Sequence, residues 1–357
     1  MRMLLILALL AGIPALAAEN VLTVDTTTTG FLQSPDLWGV FFEEINHSGD
    51  GGLYAEMVRN RSFEDNRTPD GCSVSDGCFV SPTGWKLKMG DQEQPHLAWS
   101  VAPSDADIGF TLETATPINT ASVTYARVEA KQIPEGDKAG IANEGYWGMS
   151  FKEGEMYCLS LFMRCEGDYT GNVVAALESA DGAKTYASAT LRGMGDAWSR
   201  FKTCMVAKGS DDKARLVLYL TAPGTMCFDV VSLFPAKTFM DRPNGLHPDL
   251  AQMVADLKPS FIRFPGGCIV EGFTPESAWH WKETIGDISE RPGRQNLWGY
   301  RATDGLGYHE LLQFAEDINA KPIFVVNCGM TCQGRNPVIQ PLDQLEPWIQ
   351  DALDAIE

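Results

Sequence analysis

Two adjacent acids, Glu43 and Glu44, follow the apolar run "LWGVFF" and stand shortly before a glycine-rich turn. Successive side chains of a strand point to opposite faces, so only one of these carboxylates can face a cleft at the strand end. Neighbours in sequence also cannot flank a bond from two sides, as a pair of catalytic carboxylates must. Glu43 is therefore a candidate acceptor for substrate hydroxyls, and the alternative is a solvated loop acid.

A second candidate group lies in "RFPGGCIVEG". Arg263 falls within an apolar strand, where a buried guanidinium needs a carboxylate or carbonyl partner. Gly266 and Gly267 would let the backbone approach a ligand closely or take a positive φ angle. Cys268 and Glu271 then project near this turn. The alternative is a tight strand-to-loop turn that contains a buried thiol.

Asn327 ends a third apolar run, "FVVNCG", where it could bind a ligand or cap the turn. The long segment before that run carries three tryptophans, Trp279, Trp281 and Trp298. Aromatic rings stack well on the C–H faces of sugars, so these tryptophans indicate a carbohydrate site. A hydrophobic plug beneath the loop is the alternative.

The elements that must position these residues alternate between apolar runs and helical patterns. "NGLHPDLAQMVADLKP" has apolar residues at helical spacing between Pro248 and Pro259, and "GYHELLQFAEDINA" and "LDQLEPWIQDALDAIE" repeat the pattern. Strands apolar on both faces that alternate with helices predict an α/β fold with a parallel sheet. We expect a partial (β/α)8 TIM barrel, whose active face is formed by loops at the carboxyl ends of the strands. An open doubly wound sheet is the alternative, although no glycine-rich phosphate loop follows the strands.

The N-terminus has the pattern of a secretory signal peptide. Arg2 supplies the positive charge, Met3–Ile13 is apolar, and residues 15–17, "ALA", form a small-x-small cleavage signal. A membrane-spanning helix needs about 20 apolar residues, and Pro14 interrupts this stretch well before that length. The sequence therefore predicts an exported protein, secreted or periplasmic, without a membrane span.

Between Phe79 and about Pro235 the pattern changes to short apolar alternations separated by turns, as in "MYCLSLFMRC" and "ARLVLYLTAPG". Such closely spaced strands predict an all-β, jelly-roll-like antiparallel sandwich inserted after the first α/β strand. The predicted domains are the signal peptide at 1–17, an N-terminal strand ("NVLTVDTTTTG") and the first barrel strand at 18–65, the inserted β-sandwich at 66–235, and the continuing barrel at 236–357, which ends after about three strands.

The charge balance limits the partners. The chain has 357 residues and a formal net charge of −19, from 47 acidic and 28 basic residues. Such a surface would repel a phosphate backbone, so nucleic acid is not an expected partner.

Nine cysteines in an exported chain cannot all pair with one another. Cys72 and Cys78, close together in a polar loop, are the best candidates for a local disulfide. Four others lie in strand-like runs, where a buried thiol is as plausible as a bridge: Cys158, Cys165, Cys204 and Cys227. No cysteine or histidine spacing is that of a zinc site, so we predict no catalytic metal and no cofactor.

Four ordered motifs closely resemble the α-L-arabinofuranosidases of glycoside hydrolase family 51. They are "LWGVFFEEINHSGDGGLYAEMVRNRSFED", "PSFIRFPGGCIVEG", "WKETIGDISERPGRQNLWGY" and "FVVNCG". The resemblance covers the chain up to Asp65 and again from Arg242 onward. The segment between them, with "NEGYWGMSFKEGEMYCLSL" and "FDVVSLFP", resembles the carbohydrate-binding-type module that some members carry at this point.

The resemblance implies a retaining hydrolase that removes terminal α-L-arabinofuranosyl units from arabinan or arabinoxylan side chains. On the matching positions, Glu43 would bind sugar hydroxyls, Cys268 would lie against the arabinose ring, and Trp298 would border the site. Asn327 completes the predicted substrate-binding set, whereas Glu44 stands where many members have histidine. The resemblance also allows an oligomer.

The two catalytic acids of the family are not predicted within this chain. In the family, the acid/base glutamate lies in an Asn-Glu pair after the fourth strand and the nucleophile lies after the seventh. The Asn143-Glu144 pair falls in the sandwich and does not match. Because a double displacement needs both acids, we expect these residues alone to have no turnover. The alternatives are a non-catalytic carbohydrate-binding protein acting through the sandwich, and a related barrel glycosidase with another sugar preference.

Overall fold

The candidate residues are carried by a small parallel sheet that stands beside two larger antiparallel sheets. The computed structural model describes residues 21–27, 30, 32–103 and 106–356. The predicted signal peptide lies outside these residues. Residues 21–27 form no strand, in contrast to the strand expected in "NVLTVDTTTTG", and the side chains of Val21, Leu22 and Val24 are exposed.

The described residues form 19 strands, numbered in chain order: β1 Val40–Phe41, β2 Ser73–Ser75, β3 Cys78–Val80, β4 Lys86–Lys88, β5 Trp99–Ala102, β6 Ile108–Glu113, β7 Tyr125–Ala130, β8 Ala139–Asn143, β9 Met149–Phe151, β10 Met156–Glu166, β11 Val173–Glu178, β12 Thr185–Leu191, β13 Ser199–Val206, β14 Asp211–Leu220, β15 Gly224–Pro235, β16 Phe261–Phe264, β17 Arg294–Gln295, β18 Arg301–Ala302 and β19 Lys321–Phe324. The α-helices in the same part of the chain are α1 Pro248–Asp256, α2 Cys268–Glu271, α3 Tyr308–Asp317 and α4 Glu346–Asp354.

Strands β1, β16 and β19 form the parallel sheet, in that order. The register places Phe41 beside Arg263, and Arg263 beside Ile323. Buried side chains of β16 and α3, including Ile262, Phe264 and Phe314, lie in one apolar cluster. The described residues thus combine parallel and antiparallel sheets, and no closed barrel is formed among them.

Apolar side chains remain exposed around this sheet. Helix α1 forms where the sequence predicts it, yet the side chains of Leu250, Met253 and Leu257 at the predicted apolar spacing are 40%, 67% and 70% exposed. Ala251 is the buried residue of that helix. Val254, the fourth residue of the predicted apolar stripe, is half-buried and packs against the parallel-sheet cluster, so only part of the stripe faces this core. No helix in the described ranges is long and apolar enough to cross a membrane.

The antiparallel strands form two sheets around a common core. Their strand orders are β13-β10-β15-β7-β6 and β12-β11-β14-β8-β5, with β9 paired to β14. Buried side chains from both sheets, such as Leu161 and Leu218, belong to one apolar cluster. Cys158 and Cys204 lie directly opposite each other on β10 and β13 and form a disulfide. The predicted Cys72–Cys78 bridge is wrong, because both of these cysteines are free.

A third, smaller antiparallel sheet joins the two parts. Strands β2, β3 and β4 pair in that order. Their buried residues Phe79 and Leu87 pack with Phe273, Leu297 and Cys332 from the segments that follow β16 and β19. Residues Trp38–Glu357 accordingly form one compact unit, which includes the whole of the expected insertion at 66–235.

Candidate active site

Glu43 lies immediately after β1, at the carboxyl end of the parallel sheet. The pairing of β1 with β16 continues one residue further, because the Phe42 N–H donates to the carbonyl oxygen of Arg263 at 2.8 Å. The Glu43 carboxylate Oε1 then accepts a hydrogen bond from the Ile269 N–H at 3.0 Å. This bond ties the end of β1 to the first turn after β16.

Gly266 provides the space for Glu43. Its φ angle is 127°, a conformation that L side chains rarely adopt. A Cβ atom at this position would lie 2.4 Å from both Cγ and Cδ of Glu43. The "PGG" turn therefore brings the backbone of Gly266 close to the side chain of Glu43.

Cys268, Glu271 and Cys332 form a cluster beside Glu43. Helix α2 carries Cys268 and Glu271, and the Cys332 N–H donates to the carbonyl oxygen of Gly272 at 3.1 Å. The two Sγ atoms and a Glu271 carboxylate oxygen all lie within 4.8 Å of one another. Burial, followed by Cys332 and the charges of Glu43 and Glu271, raises the pKa of Cys268 to about 11. Burial and the charge of Glu43 also raise the pKa of Glu271.

Glu44 points into different surroundings from Glu43, as expected for neighbours on an extended strand. Its Oε1 accepts a hydrogen bond from the Tyr300 hydroxyl at 2.8 Å, and its Oε2 accepts from the Asp50 N–H at 3.2 Å. Burial, together with the charge of Asp50, raises the pKa of Glu44 to about 8, although the bond from Tyr300 acts in the opposite direction. Glu44 is therefore an internal, readily protonated carboxyl group.

An aromatic wall continues from Glu44 toward the antiparallel sheets. The His47 ring stacks on Tyr300 with a centroid distance of 3.8 Å, and its edge meets Trp147 at 5.2 Å and Tyr146 at 5.6 Å. Tyr146 and Trp147 belong to the turn between β8 and β9. Trp147 has a φ angle of 63° and is 59% exposed. An exposed aromatic residue in left-handed backbone conformation is uncommon and is typical of functional loops.

The chain is similar to several known proteins. The model of the α-L-arabinofuranosidase 1 domain matches residues 253–357. The chain is 36% identical to α-L-arabinofuranosidase 1 of Arabidopsis thaliana over 94% of this chain and 46% of that protein. It is 34% identical to the extracellular exo-α-L-arabinofuranosidase of Streptomyces chartreusis over 95% of this chain and 39% of that protein. The structure of the arabinose-bound MgGH51 α-L-arabinofuranosidase superposes with a TM-score of 0.75 at 32% identity, over 90% of this chain and 48% of that one.

The chain thus matches one part of the α-L-arabinofuranosidases of glycoside hydrolase family 51 along nearly its whole length. It spans about half the length of the relatives that it matches, or less.

Two of the residues predicted to bind substrate lie together in the structure. Glu43 and Cys268 are neighbours, since the carboxylate of Glu43 binds the N–H of the residue that follows Cys268 and its charge acts on the thiol. Trp298 is half-buried against the parallel-sheet cluster, and the Arg335 guanidinium lies 4.7 Å from its ring centroid.

The side-chain amide of Asn327 is fully used by backbone groups of its own loop and of α2. Its Nδ2 donates to the carbonyl oxygens of Val270 and Met330 at 2.9 and 3.0 Å. Its Oδ1 accepts from the N–H groups of Gly329 and Met330 at 2.8 and 3.0 Å. These contacts are those of the turn-capping alternative. Direct binding of substrate by Asn327 stays a prediction.

Two other expectations are corrected. Arg263 was expected to pair with a carboxylate or carbonyl, but its guanidinium lies 5.2 Å from the ring centroid of Phe41, and it forms no ion pair with the described residues. Trp279 is buried in the parallel-sheet core, and Trp281 packs against that core while donating to the carbonyl oxygen of Asp351 at 3.0 Å. For these two tryptophans the structure supports the alternative, a hydrophobic plug beneath the loop, and not a carbohydrate site.

Sequence reasoning missed Cys332 and the pair Tyr146 and Trp147. Cys332 is far from Cys268 in the chain, and the pairing of β16 with β19, together with contacts between the loops that follow these strands, brings the two cysteines together. The available signal for the second pair was the "YWG" sequence, in which two aromatic residues precede a glycine within a turn.

Proposed function

We propose that this chain forms part of the arabinose-binding site of a retaining α-L-arabinofuranosidase, with Glu43 accepting hydrogen bonds from furanose hydroxyls. The observation that carries this proposal is the position of Glu43. Its carboxylate stands at the carboxyl end of β1, held by the Ile269 N–H and bordered by Cys268. Hydrogen bonds that a sugar hydroxyl donates to an ionised carboxylate are stronger than neutral ones, which suits Glu43 to recognition.

We further propose that the parallel sheet is part of a (β/α)8 barrel. Apolar side chains on both outer strands support this, because Phe41 on β1 is 54% exposed and Ile323 on β19 is 43% exposed. Ile349 and Leu353 on α4 are about as exposed, at 51% and 50%. Further strands and helices on either side would remove this apolar surface from water.

The antiparallel sheets are proposed to act as a carbohydrate-binding-module-like sandwich within the same protein. Their β8–β9 turn extends the wall next to His47, where an exposed indole suits the ring of a sugar. In substrates such as arabinan or arabinoxylan, the arabinose is attached to a polymer. A sugar unit of that polymer would lie next to the arabinose and could stack on the indole.

The two catalytic acids are proposed to lie outside this set of residues. Retaining glycosidases place an acid/base and a nucleophile about 5 Å apart across the bond that breaks. Glu44 is an internal group hydrogen-bonded to Tyr300, and Glu43 is held by Ile269, so neither is free for such a role. We therefore propose that the 357-residue polypeptide binds sugar but does not turn it over.

Export is also a proposal. Residues 1–17 have the signal-peptide pattern, and the Streptomyces chartreusis relative is named as an extracellular enzyme. Secretion would place the protein where plant polysaccharides are found. N-terminal sequencing of the protein recovered outside the cytoplasm tests this, with cleavage after Ala17 expected.

Calorimetric titration of the 357-residue polypeptide with L-arabinose and with an arabinoxylan oligosaccharide tests the proposed site. Loss of a charge-assisted hydrogen bond in the variant E43Q should weaken arabinose binding about tenfold or more. The matched variant E135Q changes an exposed glutamate and should bind as the wild type does. Equal affinity of E43Q and wild type would rule out the proposed role of Glu43.

Carbohydrate binding through the antiparallel sheets alone is the second candidate function. The exposed Trp147 favours it, since this residue belongs to those sheets and not to the parallel one. If E43Q retains full affinity for the oligosaccharide while W147A loses it, binding resides in the antiparallel part. Separate titrations with arabinose and with xylose test the third hypothesis, a related glycosidase with another sugar preference.

A further inference from the structure

We propose that Cys268, Glu271 and Cys332 form a binding site for one zinc ion beside Glu43. This site goes beyond the proposed sugar recognition, and its existence does not depend on it. The three ligand atoms come from two loops at the carboxyl end of the parallel sheet, α2 after β16 and the segment after β19. Two cysteine thiols, which would release their protons to solvent on binding, and one carboxylate are a ligand set that suits zinc.

The spacing of the ligand atoms supports a metal. Tetrahedral zinc has Zn–S and Zn–O distances near 2.3 and 2.1 Å, which places ligand atoms about 3.5 to 3.8 Å apart. The atoms of the cluster already lie within 4.8 Å of one another. A contraction of about 1 Å, within the reach of side-chain rotation, would therefore complete the coordination.

The charge near the cluster also favours a bound metal ion. Within the described ranges, the carboxylates of Glu43 and Glu271 form no ion pair, and the two thiols beside them are free. Cys332 is 2% exposed, whereas Glu43 and Glu271 are half-buried. A divalent cation would balance the charge of these two carboxylates.

A supporting contact orients the carboxylate. Turning the side-chain amide of Gln333 so that its nitrogen faces Glu271 satisfies both ends of the amide, and the nitrogen then donates to Oε2 at 2.9 Å and to Oε1 at 3.2 Å. Such outer contacts fix the orientation of metal ligands and tune their affinity. Gln333 is next to Cys332 in the chain, so one short segment provides both a ligand and its support.

Three protein ligands leave a fourth position, which would be filled by water. If the proposed arabinose site is correct, the ion would occupy space against which the sugar lies. Zinc would then compete with arabinose. This consequence rests on the proposed function, whereas zinc binding itself does not.

The test uses the reduced, chelator-treated 357-residue polypeptide with zinc chloride, and cobalt chloride as a spectroscopic probe. We expect one zinc per chain by mass spectrometry and a sulfur-to-cobalt charge-transfer band in the near ultraviolet. C268S, C332S and E271Q should each weaken zinc binding at least tenfold, and Q333A about tenfold. Cys72 borders the same apolar cluster without belonging to the ligand set, so C72S is the matched control and should bind as the wild type does.

Three results would overturn the proposal. One is a Cys268–Cys332 disulfide in the protein as purified, found by peptide mapping without reduction. Another is wild-type zinc affinity no higher than that of the C268S/C332S double variant. The third is a loss of zinc affinity in C72S that is as large as the loss in C268S or C332S. Circular dichroism of each variant shows whether it is folded, and the conservative E271Q and Q333A variants keep the test valid if a cysteine variant unfolds.

Discussion

Gly266 lies so close to Glu43 that a Cβ atom on the glycine would come within 2.4 Å of the Cγ and Cδ atoms of the acid. The variant G266A should therefore displace the Glu43 side chain and also strain a backbone with a φ angle of 127°. We expect a loss of about 1–3 kcal/mol in the free energy of unfolding and at least a tenfold loss in arabinose affinity. Urea denaturation and calorimetry measure the two effects.

The neighbouring glycine provides the control for this prediction. Gly267 has a φ angle of −103°, and a Cβ atom there would meet nothing within 4 Å. G267A should therefore leave both stability and affinity within about 0.5 kcal/mol of the wild type. Similar losses in the two variants would show that the contact with Glu43 is not the cause.

The raised pKa of Glu44, about 8 instead of its ordinary 4.5, predicts a pH-dependent stability. Between these values the folded protein keeps a proton that the unfolded chain has released. The contribution of this group to stability is therefore greatest below about pH 4.5 and is lost as the pH rises through 8. In E44Q, whose amide can bind the same Tyr300 and Asp50 partners, the difference in unfolding free energy between pH 5 and pH 8 should shrink by a few kcal/mol, on the order of 2–4.

Urea denaturation at the two pH values tests this prediction. Other buried carboxyls with raised pKa values, such as Glu56 and Asp65, titrate in the same range, so the comparison between wild type and E44Q isolates Glu44. The exposed-site variant E135Q should retain the full pH dependence. If E44Q retains it as well, Glu44 does not hold a proton in the folded state.

Trp147 is expected to bind a sugar beyond the arabinose. Its indole is 59% exposed and is fixed at the edge of His47. Removing one stacking contact costs about 1 kcal/mol, so W147A should weaken oligosaccharide binding about fivefold and leave binding of free arabinose unchanged. Trp85 is 45% exposed on another part of the surface, and W85A is the matched control. A loss of free arabinose binding in W147A would place the indole in the arabinose subsite instead.

The sequence predicts those parts of the site that depend on local pattern and sheet topology. Glu43 and Cys268 each follow an apolar run, and parallel strands bring their carboxyl ends to one edge, so their proximity could be inferred. The contact of Cys332 with Cys268 depends on loop conformation after the strands, which no periodicity records. The burial of Trp279 depends on packing beneath a long irregular loop and could not be inferred either.

The boundaries of the antiparallel part also show that sequence patterns do not predict tertiary packing. The quoted apolar alternations each contain a strand, because a period of two is a direct consequence of strand geometry. The small sheet β2–β4 was assigned to the insertion, yet Phe79 packs with Phe273 and Cys332 from the α/β part. Tertiary packing of this kind is decided by the shapes of both surfaces and not by the spacing within one segment.

The Cys158–Cys204 disulfide joins two strands at directly opposed positions, so the cysteine pairing follows from strand register and not from nearness in sequence. It closes a loop with a sequence separation of 46, and its removal in C158S/C204S should lower the free energy of unfolding by about 2–4 kcal/mol. The control variant C72S/C78S changes two free cysteines and should cost much less. Peptide mapping of the unreduced protein checks the pairing directly. A Cys72–Cys78 linkage, or equal losses in the two double variants, would contradict the arrangement in the structure.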